Sequence, residues 1–203
     1  MNKLKIIVLV FFVVGFSSLS GVRAQAIAPE MMDALVKNEL LRMQEEGWKV
    51  APGIVPMEVQ LKESYELALA KGDDGYPKYF VGEATSTGTD YDVALSQAAT
   101  LAKLDMAGKI QSEIEGIVEA NAADAALVTQ TAVACRNTFS QRIGRVVTPI
   151  NVYRNLDHGK VQVRTVIYYA HDQALEIYKQ TLREALEQKA DALSKELDEL
   201  LGL

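Results

Sequence analysis

Few side chains in this sequence are able to do chemistry, and most of them stand alone. His158 and His171 have no paired His or Cys at the spacing a zinc or iron site uses. His158 lies in Asn155-Leu156-Asp157-His158-Gly159-Lys160, a turn composition, and His171 stands beside Asp172 where a helix begins, so both read as boundary residues. No serine has the flanking glycines of a nucleophile elbow. Gly82 and Gly88 around Thr85-Ser86-Thr87 lack the lysine and spacing of a phosphate-binding loop. Cys135 is the sole cysteine and follows Thr131-Ala132-Val133-Ala134, so it reads as a small buried hydrophobe, and no intramolecular disulfide can form. Two carboxylates can run a glycosidase, but residues two apart on a helix do not face each other, so Glu113 and Glu115 read as solvated. Asp73-Asp74 lacks the ligand spacing of a calcium loop. The expectation is a protein that is not an enzyme and uses no metal or cofactor.

Binding chemistry is easier to find. Arg142, Arg145 and Arg164 fall in segments that read as a β-hairpin, with Tyr153, Tyr168 and Tyr169 nearby. Because a strand alternates faces, Arg142 and Arg145 are expected to point oppositely, and one of them to reach Arg164 across the pair. On an open sheet face they would form a basic, aromatic patch for an anionic envelope component or a protein partner; the plainer alternative is a solubilising set of arginines paired with acids. A second reading is a small-ligand or glycan pocket lined by aromatics near Trp48, Tyr65 or Tyr76. The candidate binding residues are therefore Arg142, Arg145, Arg164, Trp48 and Tyr168.

The elements that position these residues follow from periodicity. Pro29 to Glu46, with Met31, Leu35, Leu40 and Met43, predicts a helix that Gly47 ends. Trp48 to Pro56 holds Pro52, Gly53 and Pro56 and reads as an extended connector. Met57 to Ala70 predicts a second helix through Val59, Leu61, Tyr65 and Leu69, stopped by Gly72-Asp73-Asp74-Gly75. Pro77 to Thr87 is the first strand. Thr89 and Asp90 can cap a long helix from Tyr91 to Glu119, whose Ala94, Ala98 and Gly108 allow close approach to a sheet. Ala122 to Asn137 predicts a further helix. Phe139 to Tyr153 and Val161 to Tyr169 predict strands joined at 155–160, with Pro149 marking a bulge or an edge position. From Asp172 the stripe Leu175, Tyr178, Leu182, Leu186, Leu193 predicts a helix to the C-terminus, first as core and second as a homodimer seam. The fold class is α+β: a small antiparallel sheet covered on one face by helices, one of them long and one C-terminal, with helices also at the N-terminus.

Residues 1–26 read as a cleaved signal peptide and residues 27–203 as a single α+β domain, in which 27–56 form the N-terminal helix and connector. Lys3 and Lys5 precede eleven residues, Ile6 to Phe16, that are apolar counting Gly15, and small residues offer cleavage after Ala24 or Ala26. A membrane-spanning helix needs about 20 apolar residues, so this run is too short to be an anchor and no span remains after cleavage. Losing Lys3, Lys5 and Arg23 removes three positive charges and no negative ones, which takes the formal net charge from −6 to −9. With acids in excess and interleaved with bases, nucleic acid is not an expected partner.

The run Tyr79-Phe80-Val81-Gly82-Glu83-Ala84, followed by an alanine-rich helix with Ala94, Ala98, Ala99, Ala102 and Ala107-Gly108-Lys109-Ile110, resembles the LPP-twenty-like lipoprotein family. It is also similar to the N-terminal domain of flagellar assembly protein T. Gly47-Trp48-Lys49-Val50-Ala51-Pro52-Gly53, Gln60-Leu61, Gly75-Tyr76-Pro77-Lys78-Tyr79 and Ile143-Gly144-Arg145-Val146 resemble exported Gram-negative relatives of that family. The resemblance implies a compact α+β domain at the bacterial envelope with no enzymatic activity to carry over. Lipoproteins of that type are anchored through a cysteine after the signal, and this chain has none there, so the expectation is a soluble periplasmic or secreted protein that binds an envelope protein.

Overall fold

The computed structural model describes residues 28–121 and 125–201; the region read as an export signal lies outside them. Helices α1 (Pro29–Glu45) and α2 (Met57–Leu69) lead into strand β1 (Tyr79–Gly88). Two helices follow, α3 (Tyr91–Asn121) and α4 (Ala125–Arg142), then strands β2 (Val147–Asn155) and β3 (Val161–Ala170), and last α5 (His171–Leu201). The three strands form one antiparallel sheet in the order β1-β3-β2, an α+β fold.

Alternation along the central strand β3 divides the core in two. Val163 packs with Ala94 and Ala98 of α3, and Ile167 with Ala102, Met106 and Ile110 of the same helix. Val166 and Tyr168, pointing the other way, pack with Met43 of α1, Leu61 of α2 and Trp48 between them. Helices therefore cover both faces of the sheet, where the sequence predicted one. Helices α4 and α5 add a layer outside α3, joined to each other through Phe139 and Tyr178, whose ring centroids lie 4.8 Å apart. The described first half of α5 is core, with Ala174 and Tyr178 fully buried and Leu182 nearly so. The side chains from 193 onward, where a homodimer seam would continue, lie outside the description.

The alanine face of α3 does what its small residues suggest. At Gly82 of β1 an added methyl carbon would lie 2.1 Å from the carbonyl oxygen of Ala102, so helix and strand meet backbone to backbone. Asp90 caps α3, its Oδ1 accepting from the Val93 amide at 2.9 Å.

Other expectations need correction. Phe139 to Arg142 belong to α4 and not to a strand. Cys135, Phe139 and Ile143 recur every four residues and all bury in the helical layer, and this tertiary pattern overrides the β preference of the individual residues. In α1 the buried positions are Val36 and Met43, while Met31 and Leu35 are exposed. In α2 the buried face is Met57, Gln60, Leu61 and Ser64, while Val59 and Leu69 are exposed. Gln60 and Ser64 are buried because each has bonds to make. Gln60 accepts from the Asn151 amide at 2.8 Å and donates to the Val55 carbonyl at 2.7 Å. Ser64 meets the Tyr168 hydroxyl at 3.1 Å, and that hydroxyl also donates to the Ser64 carbonyl.

Both sheet edges have backbone groups occupied. On β2, Lys49 exchanges two hydrogen bonds with Tyr153, which seats the connector of 48–56 against the sheet at that point, and Gln60 takes the Asn151 amide. Pro149 lies where β2 carries one extra residue between its pairings at Val147 and Ile150, and β2 is an edge strand, so both readings of that proline hold. On β1, Asp105 of α3 accepts from the Glu83 amide at 3.0 Å, and Lys109 donates to the Val81 carbonyl at 2.9 Å. Those two side chains also pair with each other at 2.8 Å. Charged groups over an edge strand of this kind prevent another chain from adding to it.

Candidate functional site

Helix α2 ends at Leu69, and Ala70 is already extended. The chain then makes a tight loop: the Gly72 amide donates to the Tyr76 carbonyl at 2.8 Å, and the Tyr76 amide donates to Asp74 Oδ1 at 3.0 Å. Gly75 has φ 83°, a conformation that suits glycine. This loop holds Asp74 and Tyr76 in front of the first residues of β1. Together with α3 and the start of α5 it encloses a cavity of about 750 Å³ around the outer edge of that strand.

The floor of the cavity is aromatic and aliphatic. Tyr79, Val81 and Tyr168 come from the sheet face that carries α1 and α2, and Tyr79 meets Tyr168 edge to face at a centroid distance of 6.5 Å. Burial pushes the Tyr168 hydroxyl above the usual tyrosine range, and its bond to Ser64 opposes that shift. Phe80, on the opposite face of β1, lies flat against the His171 ring at 4.5 Å and 12°. Tyr76 forms the outer wall and is 68% exposed.

The rim is polar. His171 Nε2 lies 2.9 Å from Glu113 Oε1, and Lys109 stands one helical turn before Glu113 on α3. Asp74 completes the rim from the loop. His171 is thus more than a boundary residue, and Glu113 is only part-exposed and hydrogen-bonded. Glu115 bonds Gln111 instead, as expected for carboxylates two residues apart. A His–Glu pair can move a proton, but no lining side chain is Ser, Thr or Cys. Aromatic faces beside hydrogen-bonding groups are the chemistry of holding a ligand.

The sequence-predicted residues distribute otherwise. Of the five, Tyr168 alone lines the cavity. Trp48 is 6% exposed in the core, its indole N–H donating to Glu46 at 3.0 Å and its ring covered by the Arg154 guanidinium at 4.6 Å. Arg142 ends α4 and pairs with Glu184 of α5 at 2.7 Å, which holds that carboxyl below its usual range. Arg145 is exposed in the loop after α4. Arg164 is on β3 beneath α1, 2.6 Å from Glu83 and 3.8 Å from Glu39. Glu39 is in turn held low, first by its hydrogen bond from Arg42. The three arginines do not share one surface, because only Arg164 lies on a strand and α1 and α2 cover the face it was expected to share with open solvent.

Cys135 is buried and its thiol is pushed up by burial, which fits the structural role read from sequence. Among the described residues, no group of three His, Cys, Asp or Glu side chains converges as a metal site would need, and no helix is long and apolar enough to cross a membrane. Compared with known proteins, the chain matches no family model, no curated protein and no solved structure.

Proposed function

We propose that this protein is an exported, non-enzymatic binding module of the bacterial cell envelope, and that it binds a small molecule with an apolar body in the cavity at the β1 edge. The carrying observation is that cavity itself: about 750 Å³, with tyrosine and phenylalanine below and hydrogen-bonding groups around the mouth. Export and kinship with the LPP-twenty-like family are part of the same proposal and rest on the residues quoted for them. The reading is tested with N-phenyl-1-naphthylamine, an uncharged probe that fluoresces in apolar surroundings. Saturable binding that Tyr76→Ala weakens several-fold is the expected result, since an exposed stacking ring is lost without disturbing the core. Equal binding by both proteins would place the probe elsewhere and overturn the reading.

One observation favours a second reading, an envelope protein as partner. Met31, Leu35 and Val59 expose large apolar side chains on α1 and α2 at 57%, 39% and 49%. Crosslinking in intact cells, with a signal-deleted form as control, would show a partner only for the exported form. Loss of that crosslink in Met31→Ser/Leu35→Ser would assign the surface, and an unchanged crosslink would exclude it.

A further inference from the structure

We infer that the cavity selects organic cations, a primary or quaternary ammonium group carried on an aryl or short alkyl body. This rests on the reading of the cavity as a binding site and adds the charge of what enters it.

Asp74, Lys109, Glu113 and His171 are the ionisable side chains at the rim of the cavity. The Lys109 ammonium is already committed, 2.8 Å from Asp105 and 2.9 Å from the Val81 carbonyl, so its charge is balanced and two of its three donors are used. His171 Nε2 is hydrogen-bonded to one oxygen of the Glu113 carboxylate. Asp74 spends one oxygen on the Tyr76 amide. Two carboxylates thus face the opening, against Lys109 paired with Asp105 and Lys78 lying over the Tyr79 ring. A carboxylate-headed ligand would meet like charge there, and an ammonium would meet its complement.

The wall complements that charge. Aromatic faces attract cations through their electron-rich centres, and the cavity presents Tyr76 in its outer wall with Tyr79 and Tyr168 on its floor. The Tyr79 ring already takes one ammonium, with Lys78 Nζ 5.8 Å from its centroid. An aromatic enclosure with carboxylates at its rim is how proteins hold ammonium groups. The formal net charge of −6 adds a long-range field of the same sign.

Three probes share one body and differ only in head group: 4-phenylbutylammonium, 4-phenylbutanol and 4-phenylbutyrate. Affinities by titration calorimetry at low salt should place the ammonium about tenfold or more above the butyrate, with the alcohol between. Glu113→Gln should remove most of the preference for the ammonium over the alcohol, and Asp74→Asn should lower it again. Because Asp74 lies on an exposed loop, that variant tests the inference even if Glu113→Gln perturbs α3. If the three probes bind alike, or the butyrate binds best, the selectivity is wrong and the cavity reading stands. If none of the three binds, and the naphthylamine probe does not either, the cavity reading falls and this inference with it.

Discussion

Two Gly→Ala substitutions should change stability in opposite directions. At Gly82 the added carbon would sit 2.1 Å from the Ala102 carbonyl oxygen and 2.9 Å from Met106 Cβ. Carbon and carbonyl oxygen rest at about 3.3 Å, so α3 must retreat from β1 by roughly 1 Å. The obstructing atom is backbone and cannot rotate away. A gap of that size forfeits about a quarter to a half of each contact across the interface. Overpacking costs about 1–3 kcal/mol where side chains can adjust, and here the cost should reach the upper end, about 3 kcal/mol. For a domain of this size that is a melting temperature lower by roughly 6–12 °C. At Gly116, exposed on the same helix, an added methyl meets nothing within 4 Å. Alanine there should raise stability by about 0.5–1 kcal/mol, because glycine inside a helix loses more backbone entropy. Thermal and urea unfolding followed by circular dichroism gives both values in one experiment. A loss under about 1 kcal/mol at Gly82 would refute the backbone contact between α3 and β1, and with it the placement of Lys109 and Glu113 beside the cavity.

Two further outcomes follow from buried polar groups. Thr165 Oγ1 on β3 is buried and takes no hydrogen bond among the described residues, so Thr165→Val should add about 1 kcal/mol, and a lower melting temperature would show that the hydroxyl has a partner after all. The Tyr178 hydroxyl donates to the Ala132 carbonyl at 2.6 Å, and burial raises its pKa above the usual tyrosine value. An unfolded tyrosine releases its proton near pH 10 while the folded one keeps it. Its contribution is therefore complete below about pH 10 and is lost as pH rises beyond that. Tyr178→Phe should cost about 1–2 kcal/mol at neutral pH and flatten the alkaline decline of stability, and an unchanged slope above pH 10 would exclude Tyr178 as its source.

What sequence showed of this fold was local. The turn at 155–160, the cap at Asp90, the alanines of α3 and the disruption at Pro149 each depend on a few neighbours, and each is found where its chemistry placed it, whereas Gly108, expected to face the sheet, meets Arg136 of α4. What sequence hid depends on contacts between distant segments. The apolar stripes of α1 and α2 are too weak to mark which side is buried, and α2 buries Gln60 and Ser64 because the sheet supplies their partners. Being the only tryptophan made Trp48 conspicuous, yet its position follows from the core it fills. The His171–Glu113 pair joins residues 58 positions apart, and no spacing rule detects it. The one available signal was a loop of Gly72, Asp74 and Tyr76 set immediately before a strand beginning with two aromatics.

The cavity sits at the β1 edge, between Ala68 near the end of α2 and Lys109 and Glu113 of α3. Tyr79 and Val81 pack against the edge of the α1–α2 core and stay only half-buried, and the cavity opens beside them. An apolar patch beside an edge strand ordinarily invites a second chain to pair with it. Here Asp105 and Lys109 occupy the Glu83 amide and the Val81 carbonyl, the backbone groups an incoming strand would need. The same lysine borders the cavity, so closing the edge and shaping the site are one arrangement. A ligand there must be recognised through side chains, by ring faces and carboxylates, and an extended peptide added to 81–83 would first have to break the Asp105–Lys109 pair.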